Sequence, residues 1–197
     1  GISGDDESET KSVGFTYDMH PNVSTSGSIN EVKDVNSGWS TITTTKTASV
    51  AFNFEVTPEV ALNASLAYEL ENSDNSSKKT NSNDLTASYY ITPKLSSNAL
   101  YRVVKEKIGL ETSENITKEI GVNYDVSDTL ALYGTLLSEN DKTVQGSTLN
   151  TSKDVGLNYK LRDNISLIGT LSQVNESSID YGDTDDFQAS LRIEGMF

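Results

Sequence analysis

Residues 52–66, FNFEVTPEVALNASL, contain two alternating runs separated by Thr57, Pro58 and Glu59. Phe52, Phe54 and Val56 share one side of the first run, with Asn53 and Glu55 on the other. After the break, Val60, Leu62, Ala64 and Leu66 alternate with Asn63 and Ser65. A period of two marks an extended strand with one apolar face. Proline pre-sets the backbone of a turn and cannot donate to a following ladder, so the break reads as the tip of a β-hairpin.

The same arrangement occurs at 15–29 (FTYDMHPNVSTSGSI), 87–101 (ASYYITPKLSSNALY), 122–136 (VNYDVSDTLALYGTL) and 157–171 (LNYKLRDNISLIGTL). The aromatic before each break is Tyr17, Phe54, Tyr89, Tyr124 or Tyr159, at separations of 37, 35, 35 and 35. A fixed period of this size also occurs in helical repeats, but those need a 3.6-residue apolar pattern that this chain lacks. Five hairpins supply ten strands, and 187–197 (FQASLRIEGMF) supplies an eleventh. The stretches between repeats, such as ENSDNSSKKTNSN (71–83) and SENDKTVQGSTLN (138–150), are polar and read as long loops. Short turns at one end with long loops at the other predict an all-β fold, an antiparallel up-and-down transmembrane barrel.

Composition agrees with a barrel whose interior is polar. The 197 residues are 35% hydrophobic, against about 45–50% in a soluble domain. Acidic residues outnumber basic ones, 29 to 15, which excludes the basic surface that a nucleic acid requires. There is no cysteine, hence no disulfide framework or thiolate chemistry. No apolar run of about 18 residues exists, so no helix is expected to cross a membrane. The opening GISGDDESETKS lacks the basic and apolar segments of a signal peptide.

The last strand ends on Phe197, with Leu191, Ile193 and Gly195 at spacing two behind it. This resembles the C-terminal strand signal of bacterial outer-membrane β-barrel proteins, which the barrel assembly machinery reads. Gly195 departs from it, since a larger apolar residue is common there. The resemblance extends over the architecture of essentially the whole chain and points to no narrower family. It implies a porin-like protein of the bacterial outer membrane, with lipid and lipopolysaccharide as partners. Lys11, Lys118 and Lys153 each precede their repeat's tyrosine by six residues, where their stems could snorkel to the outer interface and face lipopolysaccharide.

Alternation assigns Asp18, Asn53, Glu55, Ser88, Asn98, Arg102, Asn123, Asp125, Asn158, Lys160, Arg192 and Glu194 to the polar, pore-lining side. At the turn-side mouth, Asp18, Glu55, Asp125 and Glu194 stand against Lys160 and Arg192, a local balance of −2. The expectation is a channel passing small hydrophilic solutes by diffusion, with a weak cation preference. Its rivals are a non-conducting structural barrel or adhesin, and the translocator of an autotransporter, although the first eleven residues look nothing like the latter's lumen helix. Catalysis is not expected: the only histidine, His20, adjoins Pro21 and reads as a turn residue. No cofactor or metal is expected. Asp183, Asp185 and Asp186, like Asp5, Asp6 and Glu7, could offer oxygen ligands to calcium but lack the spacing of a calcium loop. Five glycosylation-type triplets, such as Asn63-Ala64-Ser65, are attributed to the abundance of Asn, Ser and Thr.

Strand direction adds a further expectation. If Phe197 closes a strand running towards the short turns, the first strand runs the same way, and residues 1–11 form the tail of an outer loop. Eleven is an odd count, whereas single-chain bacterial barrels have even ones. The intact barrel is therefore expected to have twelve or more strands. An upstream fragment or a second chain would complete it, unless strands one and eleven pair in parallel.

Overall fold

The computed structural model describes residues 7–36, 41–74, 76–162, 165–178 and 182–195. Eleven strands follow one another: β1 (Glu7–His20), β2 (Val23–Asn36), β3 (Thr41–Thr57), β4 (Val60–Ser73), β5 (Ser76–Thr92), β6 (Leu95–Ile108), β7 (Glu111–Ser127), β8 (Leu130–Lys142), β9 (Ser147–Arg162), β10 (Ile165–Ser178) and β11 (Gly182–Gly195). They form one antiparallel sheet in sequence order. β1 and β11 are its edges and do not pair with each other, in parallel or otherwise, among the described residues.

Five repeat tips fall where the alternation breaks, and each carries the same irregularity. The register slips around Met19, Val56, Ile91, Val126 and Leu161, one bulged residue per hairpin. A bulge strengthens the local twist and bends its strand. The residue after it bonds across the turn. Thr57 Oγ1 accepts the Glu59 amide at 3.2 Å, Thr92 Oγ1 that of Lys94 at 3.2 Å, and Ser127 Oγ that of Thr129 at 3.3 Å. His20 does the same with Nδ1, accepting the Asn22 amide at 3.4 Å, so its expected role as a turn residue holds. Neighbouring tips are also stitched together: Asn22, Glu59, Lys94 and Thr129 carbonyls accept the amides of Glu55, Tyr90, Asp125 and Lys160.

The expected long loops are largely absent. β4 ends at Ser73 and β5 begins at Ser76, so most of ENSDNSSKKTNSN is strand. Only Gly109 and Leu110 separate β6 from β7, and Gly109 takes a φ of 61° that suits a tight turn. Residues 7–11, expected in a loop tail, likewise belong to β1. Thr tolerates extended backbone, and polar side chains bond across these extensions, as Asn30 Nδ2 does to Thr47 Oγ1 at 3.2 Å. The difference between the two ends lies in how far strands run past the apolar zone.

The register also determines how the strands lean. Following directly opposed partners leads from Tyr17 to Thr25, Phe52, Ala64, Leu85, Tyr101, Lys118, Ser138 and Thr151. From Phe52 onward this perpendicular path advances 33 residues per hairpin, whereas the sequence repeats every 35. Each hairpin is thus displaced by two residues relative to the one before it. Two residues are about 6.6 Å of rise, over two strand spacings of about 9.6 Å, giving a lean of roughly 35°. Strands of closed membrane barrels lean by about 35–45°.

Candidate functional site: two faces of one sheet

Directly opposed residues share a face, so the register sorts every side chain. One face carries a continuous apolar band rising from the tips. On β1 it is Tyr17, Phe15 and Val13; on β3 Phe54, Phe52, Val50 and Ala48; on β4 Leu62, Ala64, Leu66 and Tyr68; on β7 Tyr124, Val122 and Ile120. Among the described residues no hydrophobic side chain is buried, and no second layer covers this face. Leu66 remains 53% exposed and Ile120 56%. Such an area far exceeds the few hundred Å² of apolar patch that a soluble monomer displays. Three or four such positions per strand, at the lean above, cover about 11–16 Å between their first and last Cα along the barrel axis, and the side chains at each end extend this towards the roughly 25 Å of an outer-membrane apolar band. The repeat aromatics Tyr17, Phe54, Tyr89, Tyr124 and Tyr159 form its lower rim, all exposed. Tyr68, Tyr101 and Phe187 mark the upper rim, which sequence reasoning had not picked out.

The opposite face is polar, and all twelve residues expected to line a pore lie on it: Asp18, Asn53, Glu55, Ser88, Asn98, Arg102, Asn123, Asp125, Asn158, Lys160, Arg192 and Glu194. Of its apolar members at mid-height, Leu100, Val104 and Leu137 are half-buried, whereas Tyr90, Ile108 and Val174 nearer the strand ends are exposed, as are Leu85 and Leu136 on the other face. Crowding of this kind is what the concave side of a curved sheet produces. Here Arg102 forks onto Asp84, Nε to Oδ1 at 2.7 Å and Nη2 to Oδ2 at 3.4 Å, and Arg192 meets Glu194 at 3.0 Å. Tyr133 lies over Gly156, in the space a Cβ there would fill, and its hydroxyl reaches Thr170 Oγ1 at 2.8 Å.

Charge is sorted as sharply as hydropathy. Among the described strand residues the polar face holds sixteen carboxylates against Lys78, Arg102, Lys160 and Arg192, a net −12. The apolar face holds six carboxylates against nine lysines and Arg162, a net +4, and all but Arg162, at the tip end, stand at or beyond the upper edge of the band. The sequence reading saw the mouth's −2 but missed the larger imbalance. That imbalance is legible only once parity is carried through the polar stretches that had been read as loops.

Lys11, Lys118 and Lys153 do lie on the apolar side at the upper edge of the band, opposite Glu31, Tyr101 and Leu136 respectively. They are not equivalent, because Lys11 pairs with Glu9 at 3.0 Å. The acidic stretch near the end does not assemble a site: alternation sends Asp183 and Asp185 to one face and Asp186 to the other. Asp185 instead accepts the Gln173 side-chain amide at 3.2 Å. Asp5, Asp6 and the terminal Phe197 lie outside the described residues.

No protein-family model matches the chain, and no curated protein sequence matches it. Its fold does match solved structures. The outer membrane channel DcaP of Acinetobacter baumannii superposes with a TM-score of 0.68 at 12% identity, over 94% of this chain and 62% of that one. The ferric enterobactin receptor PfeA of Pseudomonas aeruginosa gives 0.75 at 13% identity, over 94% and 38%. OmpT, an outer membrane protein of Vibrio cholerae, gives 0.57 at 9%, over 93% and 84%. The chain therefore has the fold of outer-membrane β-barrels, in a sheet of eleven strands. It spans less than two thirds of the DcaP chain and well under half of the receptor.

Proposed function

We propose that this sheet is the wall of a bacterial outer-membrane channel through which small hydrophilic solutes diffuse, with cations preferred. The observation that carries this reading is the partition of side chains: an exposed apolar band on one face and a water-binding, net −12 surface on the other. A low-dielectric wall around such a surface focuses its field and raises the local concentration of counter-ions. The neighbouring channel and receptor structures support the architecture.

In lipid, the open edges of β1 and β11 need partners for their amides and carbonyls. With eleven strands, β1 and β11 run in the same direction, so an all-antiparallel closure takes an odd number of further strands. One such strand, from the same polypeptide or another chain, gives a twelve-stranded barrel about 23 Å across between backbones at the lean found here. Side chains would narrow this to a bore suited to small solutes.

The test is planar-bilayer conductance of the purified protein in a salt gradient. Discrete steps with a reversal potential of the cation-selective sign are expected. Insertion without conductance would favour the structural barrel or adhesin, and anion selectivity would overturn the charge reading. Intact mass and N-terminal sequencing of the native protein test the closure.

A further inference from the structure

The cations of this acidic chain are concentrated on one part of its outer side. Lys79 of β5, Lys105 and Lys107 of β6 and Lys142 of β8 lie on the same face of the sheet as Glu114 of β7. In the register Lys79 opposes Lys107, Lys105 opposes Glu114, and Glu114 opposes Lys142. Glu114 receives Lys105 Nζ at 2.8 Å and Lys142 Nζ at 3.3 Å. Two ammonium groups thus share one carboxylate, and two more stand beside them. Among the described residues no carboxylate comes within ion-pair distance of Lys79 or Lys107. Like charges directly opposed across a strand pair repel, and an anion bound between them would remove that penalty.

The position of the cluster narrows what that anion is. On β6 the same face reads Tyr101, Val103, Lys105 and Lys107, so the cluster begins where the band ends. Lys105 stands eleven residues from Lys94 at the tip, about 30 Å along the membrane normal at the lean derived above. That is headgroup height for a band of about 25 Å. A molecule with its anionic group here has Tyr101, Val103, Ile116 and Ile120 beneath it, interrupted by Lys118 between the two isoleucines, and these apolar side chains suit acyl chains.

We propose that Lys79, Lys105, Lys107 and Lys142 bind the phosphate groups of a lipid headgroup in the leaflet away from the hairpin tips. This rests on the reading of the band as lipid-facing, and deepens it by assigning a lipid class to one sector of the wall. Ammonium groups serve here as mobile point charges for phosphate oxygens, and Glu114 keeps two of them in place.

The test uses the full chain inserted in phosphatidylcholine vesicles, with insertion scored separately by heat-modifiable gel mobility. Binding of diphosphoryl lipid A is then measured for the wild type, for the triple variant Lys105→Gln, Lys107→Gln, Lys142→Gln, and for a control with Lys78→Gln and Lys160→Gln on the opposite face. The triple variant is expected to bind about ten-fold more weakly or worse at low salt, since each headgroup-level lysine adds attraction to an anionic surface. The difference should close in 0.5 M salt, about where screening becomes short-ranged, and the control should match the wild type. Unchanged binding by the triple variant would overturn the proposal. Equal competition by millimolar inorganic phosphate would overturn the assignment to a lipid. Failure of the wild type to insert would overturn the lipid-facing reading itself.

Discussion

Leu66 and Ser65 are consecutive residues facing opposite environments, and the consequences of changing either follow from that. Leu66→Arg places a guanidinium within the apolar band, at a cost of roughly 2–4 kcal/mol near mid-bilayer. It should prevent assembly, read as loss of heat-modifiable mobility. Ser65→Arg, on the polar face, should fold and insert normally. Alternation made this pair legible in the sequence, because any one-residue shift would exchange their roles. Gly156 was not legible in the same way. It reads as an unremarkable small residue until the ring of Tyr133 is seen lying across it, with the Gly169 carbonyl 2.7 Å from where a Cβ would sit. Gly156→Val should displace that ring and break the Tyr133–Thr170 bond. Off-rotamer packing and a lost hydrogen bond together predict a loss of about 1–3 kcal/mol, measured by urea unfolding in micelles.

The hairpin is the element in which this fold is written. Its aromatic, bulged apolar residue, hydroxyl and two-residue tip recur through FEVTPE, YYITPK and YDVSDT, with histidine in place of the hydroxyl in YDMHPN and arginine in YKLRDN. The hydroxyl's role shows only in the geometry: it accepts the amide two residues on. Thr92→Val and Ser127→Ala should each destabilise the folded protein by about 0.5–1.5 kcal/mol, one hydrogen bond's net value, and the same urea transitions should report it. The opposite ends of the strands were misjudged for a physical reason. Ser, Asn and Lys are common in loops, so their abundance outweighed the alternation beneath it, as with Glu69 and Glu71 on one face and Leu70 and Asn72 on the other. Composition reports how wet a stretch is, and both a loop and a strand standing above the membrane are wet.

For the molecule as a whole, sorting charge between faces should matter more than the mouth alone suggests. Glu119 on β7, Glu139 on β8 and Asp154 on β9 all stand on the polar side, well above the tips. Replacing the three by Gln, Gln and Asn should lower the cation-to-anion permeability ratio more than removing Asp18 and Asp125 near the tips. The gap should widen as salt is diluted and screening weakens. Reversal potentials in graded potassium chloride would measure it. An equal or smaller effect would place the selective region at the tip-side mouth.

The two-residue offset between successive hairpins has a consequence for growth by duplication. A unit of 35 residues that brings two strands also brings its own offset, so a copy placed beside it meets both neighbours in the register they already use. A tandem repeat of residues 76–110 should therefore lengthen the circumference by one hairpin while leaving the lipid-facing band level. Deleting two residues from a single unit would keep every side chain on its proper face but tear the band into a step. A gene for such a wall can change its bore by whole units at little cost to fit, and the bilayer, through the height of its apolar layer, rejects the increments in between.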